Sequence, residues 1–176
     1  MTGKRLFIFV EGNDDQRFFA KVIRPVFSSR YASVEIVMYA CMKREKVCRF
    51  IRSVSSMGHD FIMVADIDQE PDVWAKKEVI QHRFCAIDRH HIVVIIMEIE
   101  SWYMAGLDNR TAKSLGARPI RHTDHLTKEL FNRRIPRRYH SRIGFMLDIL
   151  DKFSPETAME KNRSFRYFTR LYHLFG

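Results

Sequence analysis

Four short apolar runs alternate with segments of helical period in the N-terminal part of the chain, at residues 6–10, 34–39, 61–65 and 92–97. A short unbroken apolar run fits a strand buried on both faces. Between the runs, Phe18, Phe19, Val22, Ile23 and Val26 keep helical spacing behind a cap at Asn13 or Asp14. Val47, Phe50, Ile51, Val54 and Met57 do the same, and a third helix is predicted over residues 72–84. Strands that alternate with helices close as a parallel sheet layered by helices. Beyond Glu98 the β signal disappears, and residues 123–133, 142–153 and 164–175 show helical periodicity. The prediction is an α/β fold: a mostly parallel sheet of about four strands flanked by helices, with a helical C-terminal extension.

The charge is distributed unevenly over this plan. The 176 residues are 46% hydrophobic, enough to bury one core, and carry a formal charge of +9. Residues 110–176 hold 15 Lys and Arg against 6 Asp and Glu, whereas residues 1–109 hold 15 of each. A basic extension on a neutral core points to a polyanionic partner, nucleic acid first. Arg134, Arg137, Arg138 and Arg163 are the expected phosphate contacts. No run reaches the ~18 apolar residues of a membrane span, and Glu11, Asp14 and Asp15 follow too early for a signal peptide. Cys41, Cys48 and Cys85 form no CxxC pair and suit a reduced, cytoplasmic setting. The expected organisation is an α/β core over residues 1–108, with a basic helical region over 109–176 packed on it.

In a parallel sheet, ligands gather beyond the carboxyl ends of the strands. There the first run ends in Glu11-Gly12, the third in Asp66-Ile67-Asp68-Gln69-Glu70, and the fourth in Glu98-Ile99-Glu100. Acids two apart on an extended chain point to one side, so Asp66 is expected to converge with Asp68, and Glu98 with Glu100. Converging carboxylates repel one another and need a cation or a shared proton. Oxygen donors without paired His or Cys suit a hard ion, Mg²⁺ or Mn²⁺. His90 and His91 precede the fourth run, at the end away from these acids. His122 and His125 share a helical spacing but have no further ligands nearby. Trp102 is expected to anchor a helix after the fourth strand.

These pieces resemble a TOPRIM domain, the metal-binding module of topoisomerases, primases and OLD-type nucleases. Phe7-Ile-Phe-Val-Glu11-Gly12-Asn-Asp-Asp15-Gln-Arg-Phe18-Phe19 is similar to the family's strand, Glu-Gly and helix. Phe61-Ile-Met-Val-Ala-Asp66-Ile-Asp68-Gln-Glu70 is similar to its DxD segment. Glu98-Ile-Glu100-Ser101-Trp102 and Ser164-Phe165-Arg166-Tyr167-Phe168 look like stretches of small stand-alone TOPRIM proteins related to OLD nucleases.

The resemblance implies a TOPRIM, Rossmann-like sheet and a metal-dependent nuclease acting on DNA or RNA. By it, Asp66 and Asp68 would bind Mg²⁺ (or Mn²⁺) and Glu11 would act as general acid/base or share the ion. Glu100, with Glu98 or Glu70 behind it, would complete a second metal position. A metal pair of this kind stabilises both the attacking and the leaving oxygen of an in-line displacement. The chain departs from the family in having Gln69-Glu70-Pro71-Asp72 where many members carry a glycine after the DxD. It also has no GxxxxGK loop, so the ATPase of full-length OLD proteins would have to come from another chain. The competing reading is a non-catalytic TOPRIM-fold subunit that binds nucleic acid or a partner.

Overall fold

The computed structural model describes residues 3–84 and 87–175. Cys85, expected to be a reduced thiol, lies outside the described residues; Cys41 and Cys48 are free thiols, the first exposed and the second buried. The contacts divide the chain into two compact units, Met1–Val94 and Ile95–Gly176. The division falls at the end of the fourth strand.

The first unit is built on a parallel sheet of order β2-β1-β3-β4, from β1 (Arg5–Val10), β2 (Ser33–Met38), β3 (Asp60–Asp66) and β4 (Ile92–Ile95). β1 pairs with β2 from Arg5 opposite Ser33 to Val10 opposite Met38, and with β3 from Leu6 opposite Asp60 to Phe9 opposite Met63. Central strands covered on both faces must be apolar throughout, and β1 is buried at every residue after Arg5. β2 lies at an edge, and there Ser33 is partly exposed and Glu35 exposed. One face packs Phe7, Phe9, Phe61 and Met63 against Val47, Ile51 and Val54 of α3 (Arg44–Ser56) and Ile80 of α4 (Val73–Arg83). The buried residues of α3 recur at helical spacing because its remaining positions are mainly Arg, Lys, Glu and Ser.

The first helix departs from its predicted form at its cap and in its middle, while it ends near Pro25 as expected. Its N-cap is Gly12, not Asn13 or Asp14, and the Asp15 carboxylate closes the cap by accepting the Gly12 N–H at 3.2 Å. α1 (Asn13–Phe18) passes through a π-helical stretch at Phe19–Ile23 into α2 (Arg24–Phe27). Pro25 sits in the first turn of α2, where its missing N–H is tolerated.

β4 stops at Ile95, two residues short of the expected end, because Met97 takes a left-handed conformation (φ 62°). The second unit is helical: α5 (Ile99–Ala105), α6 (Asn109–Ser114), α7 (Lys128–Arg134), α8 (Arg142–Asp151), α9 (Pro155–Lys161) and α10 (Arg163–Leu171). The predicted helix at 123–133 begins only at Lys128, where Thr127 supplies the cap, so His122 and His125 share no helical face. Trp102 is wholly buried on α5, its ring against Phe165 and Phe168 and its Nε1 donating to Ser164 Oγ at 2.8 Å. Buried Asn162 caps α10 and donates to Thr123 Oγ1 at 3.1 Å, satisfying polar groups that burial would otherwise penalise. No helix among the described residues is long and apolar enough to cross a membrane.

Candidate functional site

β1 and β3 are parallel neighbours, so their carboxyl ends set Glu11 beside Asp66. The Asp66 backbone N–H donates to the Glu11 carboxylate. On the other side of β1, Tyr39 follows β2 and its backbone N–H donates to Val10 O at 2.9 Å. That ties its ring over the end of β1. The Tyr39 hydroxyl then lies 2.9 Å from Glu11 Oε1 and 3.2 Å from the Val64 carbonyl.

Burial pushes the Glu11 carboxyl above the ordinary range for glutamate, and the negative charge of Asp68 adds to the shift. The Tyr39 hydrogen bond, the Lys76 ammonium and the Asp66 N–H pull it back. Tyr39 is raised as well, first by burial and then by the Glu11, Asp15 and Asp66 charges around it. The end of the sheet thus gathers partly buried acids around one phenol.

Asp66 is the last residue of β3, and its Oδ1 is buried with no hydrogen-bond donor in reach, while the residue keeps other interactions. Asp68 does not continue the strand. It sits in a turn with φ 53°, a left-handed conformation that Asp tolerates better than most residues. The assumption of an extended Asp66–Asp68 pair therefore fails. Asp68 turns instead to Lys76, one turn inside α4, whose ammonium it pairs with directly. Lys76 is itself buried, while the Asp68 side chain remains exposed. Glu70 is half-buried, its backbone N–H closing the turn onto Ile67 O at 3.2 Å.

Glu98 is still extended, but α5 starts at the next residue, so Glu100 lies in a helical turn and the two carboxylates do not pair along one strand. Glu98 is the N-cap residue of α5 and its carboxylate accepts the Lys128 backbone N–H. Glu100 lies in the first turn of α5, buried, and pairs with Arg142 of α8. Both carboxylates have protein partners within the second unit.

The donor set at the sheet end is carboxylate oxygen alone, which in kind fits a hard divalent cation such as Mg²⁺ or Mn²⁺. Among the described residues, no three His, Cys, Asp or Glu side chains are already gathered to hold an ion. Glu11, Asp66 and Asp68 are the residues that would hold one, with Asp68 turning from Lys76 toward it.

The expected phosphate contacts fall into two kinds. Arg138 donates to Ser114 O (3.2 Å) and to the Tyr139 hydroxyl (3.1 Å), and Arg163 pairs with Asp124 at 3.1 Å. Arg134 and Arg137 instead line an open cavity with Arg118 and Arg133. His91 is structural: it stacks on Phe61 at 4.3 Å and its Nδ1 lies 3.1 Å from Phe61 O, at the start of β3, opposite the acids.

No protein-family model, curated protein or solved structure matches this chain.

Two residues at the sheet end escaped the sequence reading, Tyr39 and Lys76. Tyr39 looked like the last residue of an apolar strand. Lys76 carried a signal: it stands three after Val73 and four before Ile80, a lysine on the buried stripe of its helix.

Proposed function

We propose that the chain is a TOPRIM-type nuclease, cleaving phosphodiester bonds of DNA or RNA with Mg²⁺ or Mn²⁺ in a cytoplasmic setting. One observation carries this reading: a half-buried glutamate with raised proton affinity stands at the end of β1, beside Asp66 and within the electrostatic reach of Asp68. Groups tuned in this way recur where proton transfer is needed near neutral pH. An ion held by Glu11, Asp66 and Asp68 would supply Lewis acidity to the phosphate and an activated water. Glu11 holds or passes the proton at its carboxyl oxygen. Tyr39 orients Glu11, and Lys76 balances the charge of Asp68 until an ion takes its place. The surplus arginines of residues 110–176 supply attraction for a polyanion. Any ATPase working with it would be a separate chain.

A second reading has its own support. Asp68 is already neutralised by Lys76, and Glu100 by Arg142, which suits a non-catalytic subunit that binds nucleic acid or a partner. Purified protein incubated with plasmid, linear duplex, single-stranded DNA and RNA separates the two. The nuclease reading predicts cutting of at least one substrate in Mg²⁺ or Mn²⁺ and none in EDTA. Salt-sensitive binding without cutting under either metal favours the second.

A further inference from the structure

The cavity that Arg134 and Arg137 line measures about 500 Å³ and lies wholly within the second unit. Its construction begins with two chain endings. α6 closes in a Schellman turn: Gly116 adopts φ +77°, its N–H bonds Lys113 O at 2.9 Å, and Ala117 N–H bonds Ala112 O at 2.9 Å. That turn aims Arg118 at the cavity. α7 ends at Arg134 because Ile135 precedes Pro136 and is driven into the extended region. This places Arg133, Arg134 and Arg137 around the same opening.

No acid lines the cavity; among the described residues Arg118, Arg134 and Arg137 form no ion pair, and Arg133 acts only at a distance on the exposed Glu129 carboxyl one turn earlier. Elsewhere in this unit Arg142 and Arg163 each hold a carboxylate. Four guanidiniums facing one opening repel each other, and an anion removes that repulsion. The carboxyl end of α7 opposes an anion with about half a unit of negative charge, far less than four arginines supply. Leu130, Ile135 and Pro136 give the cavity an apolar wall as well. Guanidiniums suit phosphate oxygens, and an apolar wall suits a base or a sugar face.

We infer that this cavity is a nucleotide-phosphate subsite, with Arg118, Arg133, Arg134 and Arg137 on the phosphates and the Leu130–Pro136 wall against the base or sugar. The site goes beyond the nuclease reading and does not depend on cutting. Its phosphate comes either from a nucleic-acid strand or from a free nucleotide.

The test is binding in EDTA, with a fluorescent single strand, ATP and inorganic phosphate as separate probes. Two double variants, Arg134→Gln/Arg137→Gln and Arg118→Gln/Arg133→Gln, are compared with Arg170→Gln, which removes an exposed charge on α10 outside the cavity. Circular dichroism and melting confirm that each variant folds. Each double variant is expected to weaken strand binding about tenfold or more and to flatten its log–log salt dependence by about one to two units, while Arg170→Gln has little effect. ATP or phosphate binding that is lost in both doubles, without strand binding, keeps the subsite and names the free nucleotide as its source. Equal weakening by Arg170→Gln and the doubles, or no binding of any probe, overturns it. Because no metal is present, loss of cutting alone leaves this result untouched.

Discussion

The Tyr39 hydroxyl donates to Glu11 Oε1 at 2.9 Å, across the ends of two adjacent parallel strands. Neither residue touches the other in sequence, and the contact exists only because β2 pairs in register with β1 up to Met38. It supports the charged form of a carboxylate that burial disfavours.

Replacing Tyr39 with Phe removes that hydrogen bond and keeps the ring against Phe84. The bond lowers the Glu11 pKa, so its loss moves the carboxyl further up. Carbon-13 titration of Glu11 is expected to show a higher midpoint in Tyr39→Phe than in wild type. Stability is expected to fall by about 1 kcal/mol in urea unfolding. An unchanged Glu11 midpoint contradicts the assignment.

Glu11 also sets a pH dependence whose sign follows from linkage. A carboxyl raised in the folded state stabilises the fold below its unfolded pKa and loses that contribution as pH rises through the folded value. Glu11→Gln has no such titration. Melting temperatures of wild type are therefore expected to fall relative to Glu11→Gln from about pH 4.5 upward, and to level off once Glu11 is fully charged. A difference that stays constant with pH contradicts the account.

Lys76→Met separates the ion pair from the proposed metal role. Asp68 then loses its cation, and Glu11 loses one that lowers its pKa. Mn²⁺ binding, followed by electron paramagnetic resonance in the absence of substrate, is expected to tighten several-fold, because the ion no longer competes with an ammonium for Asp68. Weaker Mn²⁺ binding in Lys76→Met counts against ligation by Asp68.

The buried pair of Glu100 and Arg142 is predicted to act on stability. Both are drawn into the second unit, Glu100 almost wholly, at 4% side-chain exposure. Removing one partner of a buried pair costs about 3 kcal/mol, whereas replacing both by apolar or neutral groups costs less. Urea midpoints are expected to fall sharply in Arg142→Met and to recover in part in Glu100→Gln/Arg142→Met. Full stability of Arg142→Met contradicts this role.

The parallel sheet was legible because its strands are apolar throughout, and all four runs became strands within a residue or two. α6 and α9 were not, since Asn109–Ser114 and Pro155–Lys161 each bury little beyond one alanine and leave no apolar stripe to read. At the site, Glu11 and Asp66 were placed by strand ends alone. Asp68 and Glu100 are not extended as the sequence reading expects, because the left-handed residues Asp68 and Met97 carry no glycine to announce the turns, whereas Glu98 is extended. Lys128 and Arg142, the partners of Glu98 and Glu100, come from later helices at separations no local pattern encodes, whereas Lys76 was signalled by its place on the buried stripe of α4.

The most direct measurement is the single-turnover cleavage rate in Mg²⁺ or Mn²⁺ for wild type, Glu11→Ala and Asp66→Ala, each shown to fold by its melting curve. The account predicts metal-dependent cutting in wild type and a loss of about a hundredfold or more in both variants, on the scale of removing a positioned acid–base group. Cutting that survives both substitutions, or wild type that binds strands and never cuts them, contradicts it.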